Sequence, residues 1–78
     1  MIPIMMTVKI LIDSVDKIKT FTSIISKEDV ECELIKGVHI VDAKSVMGVF
    51  SMDLREPVQL NIHSSNKGIL KKIEDFIV

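Results

Sequence analysis

Pro57-Val58-Gln59-Leu60-Asn61-Ile62-His63 is the stretch that decides the fold, because Val58, Leu60 and Ile62 alternate strictly with Gln59, Asn61 and His63. Side chains along a strand point to opposite faces in turn, so this period of two predicts one apolar face in the core and one polar face in water. Pro57 lacks a backbone N–H and suits the start of a strand. Downstream, Ser64, Ser65 and Asn66 mark a turn. Beyond it Ile69, Leu70, Ile73, Phe76 and Ile77 fall on one helical stripe opposite Lys67, Lys71, Lys72, Glu74 and Asp75.

Upstream of Pro57 the same reading continues. A short helix is expected from Ser45, its N-cap, to about Met52, with Val46, Met47, Val49, Phe50 and Met52 apolar. Before it, Val30 to Ile35 sets Val30, Cys32 and Leu34 against Glu31 and Glu33, and Val38 to Val41 resumes a strand pattern after the Lys36-Gly37 break. That pair predicts a hairpin. Asp13 and Ser14 are both good N-caps for a helix carrying Val15, Ile18, Phe21, Thr22 and Ile25 as far as about Lys27. At the start, Met6, Val8, Ile10 and Ile12 alternate with Thr7, Lys9 and Leu11. The order is β-α-β-β-α-β-α in a single domain over residues 1–78. One-faced strands imply an α+β fold in which a four-stranded antiparallel sheet is covered on one face by three helices.

Composition narrows the functional classes. A chain of 78 residues, 47% apolar, has room for one core. Phe21, Phe50 and Phe76 are its only aromatic residues and its net charge is −1. Neither a stacking platform nor a basic face is available, so nucleic acid is not an expected partner. Cys32 is the sole cysteine. It can form no intramolecular disulfide and supports no cysteine zinc site, so a reducing cytoplasm is the expected location and a small core residue the expected role. The opening Met1-Ile2-Pro3-Ile4-Met5-Met6 has no basic start and no small-residue cleavage site, and reads as lead-in to the first strand. No apolar run is long enough to cross a bilayer.

The segment Gly37-Val38-His39-Ile40-Val41-Asp42-Ala43-Lys44-Ser45-Val46-Met47-Gly48-Val49-Phe50-Ser51-Met52, and Ala43 to Val49 above all, resembles the HPr family of the bacterial sugar phosphotransferase system. The resemblance implies an open-faced β-sandwich of the same element order. It also implies what is missing. Members of the family carry phosphate on a histidine that opens the first helix, followed by an arginine and a proline; here the place reads Asp13-Ser14-Val15-Asp16-Lys17. No His or Arg occurs between Met1 and Gly37, so no shift of alignment restores the site. Ser14 stands where the histidine would be, but a serine ester lacks the lability of a phosphoramidate, and Asp13 and Asp16 would repel an incoming phosphoryl group. An N-cap is the reading for Ser14.

Ser45 matches the serine that the family presents to a regulatory kinase, and it is also an N-cap. A phosphate there would lie at a helix start with Lys44 adjacent. Val46, Met47 and Phe50 match a hydrophobic patch that the family offers to protein partners. Two readings of that helix stay open: an exposed patch for partners, or Val46, Val49 and Phe50 plugging the core with Met47 and Met52 left outside. His39 and His63 fall on the open phase of their strands, and no third and fourth metal ligand accompanies them. Glu31 and Glu33 read as solvated carboxylates, and no general acid or base is assigned. The sequence thus suggests a non-catalytic regulatory or adaptor domain, without cofactor or metal, whose partners are proteins: enzyme I, HPr kinase or a transcription regulator of the phosphotransferase system. The alternatives are a phosphocarrier in the ordinary sense and an unrelated small interaction module.

Overall fold

The computed structural model describes residues 4–78. Met1, Ile2 and Pro3, the first half of the lead-in, lie outside them. In chain order the elements are β1 (Met6–Ile10), α1 (Val15–Ser26), β2 (Cys32–Lys36), β3 (His39–Asp42), α2 (Val46–Phe50), β4 (Val58–Ile62) and α3 (Lys67–Lys72), with a 3-10 turn over Glu74–Phe76. The strands form one antiparallel sheet in the order β1-β4-β2-β3. The fold is therefore α+β, an open sheet with three helices, in the order the sequence predicts.

The decisive strand is also the best protected. In β4, Leu60 pairs with Val8 on one side and Leu34 on the other, while Asn61 sits between Thr7 and Glu33. Leu60, Leu34, Ile10 and Ile62 are fully buried with Phe21 and Ile25 of α1, Val49 of α2, and Ile69 and Ile73 of the C-terminal segment. Phe21 and Phe76 meet edge to face, with ring centroids 5.8 Å apart. That arrangement suits the quadrupoles of the two rings and ties α1 to the last turn of the chain.

Several boundaries and faces differ from the sequence expectation. β2 spans Cys32–Lys36 rather than Val30 to Ile35, so Lys36 belongs to the strand. Val38 lies not in a strand but at the hairpin tip, 94% exposed. Lys36 pairs with His39 across a two-residue turn in which Gly37 has φ 60° and Val38 does not. This is the signature of a type II′ turn, which matches strand twist and needs glycine first. α1 runs as expected from its Ser14 cap, yet Val15 is 53% exposed. α2 ends at Phe50, before Met52.

The predicted continuous C-terminal helix is broken at Ile73 (φ −115°, ψ 14°). The reason lies at β1. Ile77 turns extended and bridges Ile10, with Leu11 N–H donating to the Phe76 carbonyl (2.8 Å) and Val78 N–H to the Lys9 carbonyl (3.0 Å). A straight helix would carry Ile77 away from that edge.

Asn61 is the clearest correction of face. Its phase is that of the open side, but it is only 5% exposed, because it occupies an inner strand between two others. Its Oδ1 accepts from Thr7 Oγ1 (3.0 Å) and Gln59 Nε2 (2.9 Å). Hydrogen bonding to neighbours replaces hydration.

Candidate functional site

The start of α2 is built by a chain of local hydrogen bonds. The Asp42 carboxylate accepts from Lys44 N–H (2.9 Å) and the Asp42 carbonyl from Ser45 N–H (3.0 Å), which turns the chain out of β3. Ser45 is extended (φ −91°, ψ 106°), its Oγ accepts from Gly48 N–H (3.2 Å), and its carbonyl takes the first helical bond from Val49 N–H (2.9 Å). Ser45 is thus an exposed N-cap. Gly48 lets this turn sit close to the sheet: a Cβ there would lie 3.3 Å from Ser45 Oγ and 3.5 Å from Val41 Cβ. Asp42 escaped the sequence reading, although an Asp just before a helix cap is a recognisable turn signal.

Of the apolar residues of α2, only Val49 enters the core. Val46 and Phe50 are each 41% exposed and Met47 is 81% exposed. The plug reading therefore fails for Val46 and Phe50, and the helix presents an apolar surface next to the Ser45 hydroxyl. Lys44 lies elsewhere. Its ammonium is held by the Glu28 carbonyl just past α1 (2.6 Å), so it ties two loops together instead of standing free beside Ser45.

Ser14 occupies the other helix start near this surface. Its Oγ accepts from Lys17 N–H (3.2 Å), and Lys17 Nζ pairs with Asp13 (3.0 Å), which holds the Asp13 carboxyl below its ordinary range. Asp13, Ser14 and Val15 line a shallow groove with Phe50, Met52 and Arg55, so the Ser14 loop and the end of α2 form one surface. Arg55, the only arginine of the chain, arrives there from the other side of α2, which spacing in the sequence does not reveal. Its guanidinium grips Asp53 through Nε (2.9 Å) and Nη2 (2.8 Å), an arrangement that keeps the Asp53 carboxyl far below the usual carboxylate range.

The histidines do not meet. His39 pairs with Lys36 at one end of β2 on the phase of Leu34 and Val41, beside Ser51 and Met52, and not on the open face that the sequence predicts, because the strand phase is set by Val41 over Leu34. His63 lies past the far end of β4, its N–H donating to the Glu31 carbonyl (2.9 Å). His63 Nε2 lies 2.8 Å from Glu33 Oε1, so Glu33 has a partner and is half-buried. Only Glu31 of the two carboxylates stays simply exposed. Among the described residues no three His, Cys, Asp or Glu side chains gather as metal ligands, and no helix is long and apolar enough to cross a membrane. In comparisons with known proteins, no protein-family model, no curated protein and no solved structure matches the chain.

Proposed function

We propose that this chain is a cytoplasmic, non-catalytic regulatory or adaptor domain of the HPr type, which docks a protein partner through α2 and is regulated at Ser45. The observation that carries this reading is the juxtaposition at α2: an exposed capping hydroxyl, Ser45, followed within one turn by three exposed apolar side chains, Val46, Met47 and Phe50. Such apolar residues on a helix with only one core contact are the usual material of a docking surface, and Met47 adapts readily to different partners.

A phosphate on Ser45 would place about −1.5 to −2 charges beside that surface. It would strengthen docking to a basic partner face and weaken docking to an acidic one. Because Lys44 is engaged at Glu28, the charge would face the partner with little compensation from its neighbour.

The carrier alternative lacks its chemistry, since Ser14 is occupied as a cap and flanked by Asp13 and Asp16. Incubation with enzyme I and phosphoenolpyruvate separates the two readings. The adaptor takes up no acid-labile, base-stable phosphate. Such a label on any residue would make the protein a carrier, and on His39 or His63 a carrier with a new site.

A further inference from the structure

The chain offers an oxidant one cysteine and five methionines, and the fold ranks them. Cys32 comes last: it is buried in the core, and burial raises its thiol pKa, so the reactive thiolate is scarce. A thioether has no proton to lose, so solvent access decides its reactivity. Met6 and Met52 are half-buried against the core, and Met5 is 46% exposed. Met47, at 81%, is the most exposed methionine among the described residues. It is also the oxidisable side chain of α2, since Val46 and Phe50 are hydrocarbons and Val49 is buried.

We propose that Met47 is a site of oxidative modification by peroxides, and that its sulfoxide removes the apolar character of the α2 surface. The consequence for docking rests on the reading of α2 given above, whereas the reaction does not. A lone pair of the thioether sulfur attacks one peroxide oxygen, the S–O bond forms as the O–O bond breaks, and the sulfur is oxidised by two electrons. With hydrogen peroxide the departing hydroxide takes the proton from the transferred oxygen and leaves as water. The product bears a dipole where a flexible apolar group stood. A partner's apolar face would have to strip water from that dipole with no hydrogen bond in return, so docking weakens. Phosphate at Ser45 acts according to the partner's charge, but a sulfoxide is uncharged and weakens an apolar contact whatever that charge is. The fold is kept, because Val49 alone carries α2 into the core.

Dilute hydrogen peroxide applied to the whole protein, native and in denaturant, with peptide mass mapping of each methionine over time, tests the ranking. In the native protein Met47 should gain oxygen at least about threefold faster than Met6 and Met52, with Cys32 unmodified, and denaturant should level the rates. Hydrophobic-interaction chromatography of the native protein reads the surface. Peroxide should shorten the retention of the wild type without lowering its melting temperature, Met47→Gln should elute early untreated, and Met47→Leu should keep its retention through the treatment. Met6 or Met52 oxidised as fast as Met47, Cys32 oxidised first, melting that falls in step with Met47 oxidation, or Met47→Leu losing retention as the wild type does would each overturn the proposal. Neither partner nor kinase takes part, so such a failure leaves the Ser45 reading standing, and a failed kinase assay leaves this one.

Discussion

Leu60 and Asn61 are neighbours on the central strand, and both are buried for different reasons. Leu60 fills the core between Val8 and Leu34, so Leu60→Ala should cost about 2 to 5 kcal/mol through lost burial and the cavity left behind. Asn61→Ala should also destabilise, by about 0.5 to 1.5 kcal/mol, because Thr7 and Gln59 lose their shared acceptor. Chemical denaturation of both variants checks this. An Asn61→Ala protein as stable as the wild type would mean that the open face is hydrated at its centre. The alternation in residues 57–63 reveals which side of the strand each residue takes, but not that β4 lies inside the sheet. Strand order is a long-range property, and it is what turns Asn61 from a solvent residue into a buried one. Cys32 behaves as the sequence suggests: it is 4% exposed, and burial pushes its thiol up in pKa. Iodoacetamide should therefore modify it at least roughly tenfold more slowly in the native protein than in the unfolded chain. Equal rates would place the thiol in solvent.

Among the elements, the bounds of α1 and β4 are readable from the sequence, because Ser14 is a strong cap and Val58–Ile62 has a clean period, although Val15 and Asn61 depart from the burial that period implies. The hairpin tip is less so. Gly37 signals a turn, but Val38 has a strand former's side chain in a turn position, and only the type II′ geometry accounts for it. The break of the last helix at Ile73 has no local signal at all. It follows from the bridge that Ile77 makes to Ile10 and from the packing of Phe76 on Phe21, both distant in sequence. Phe76→Ala should accordingly cost about 3 to 5 kcal/mol. A loss below about 1 kcal/mol in a thermal or denaturant melt would show that the C-terminal segment is not part of the cooperative unit. At α2, Ser45→Ala removes the acceptor for Gly48 N–H and should cost about 0.5 to 2 kcal/mol, whereas Ser45→Asp keeps a capping oxygen and should melt close to the wild type. Melting follows the cap, and partner binding should follow the charge.

At the scale of the molecule, one sheet face carries the core while the helices present the surface on which function is proposed. The sequence makes the layer arrangement legible because one-faced strands and amphipathic helices leave few ways to bury their apolar sides. It does not make the composite surface legible. That surface joins the Ser14 loop to Phe50, Met52 and Arg55 from across α2, and it binds Lys44 to Glu28 away from the serine it precedes. Under the proposed function, Ser45 is a site of regulation as well as a cap. The most direct measurement is incubation of the protein with HPr kinase and ATP, followed by intact-mass analysis and mapping of the modified residue, with Ser45→Ala alongside. The expected product carries one acid-stable phosphate, located on Ser45 and absent from the Ser45→Ala protein. An unmodified wild-type chain under conditions in which the kinase modifies a known substrate would contradict this reading, leaving Ser45 a purely structural N-cap.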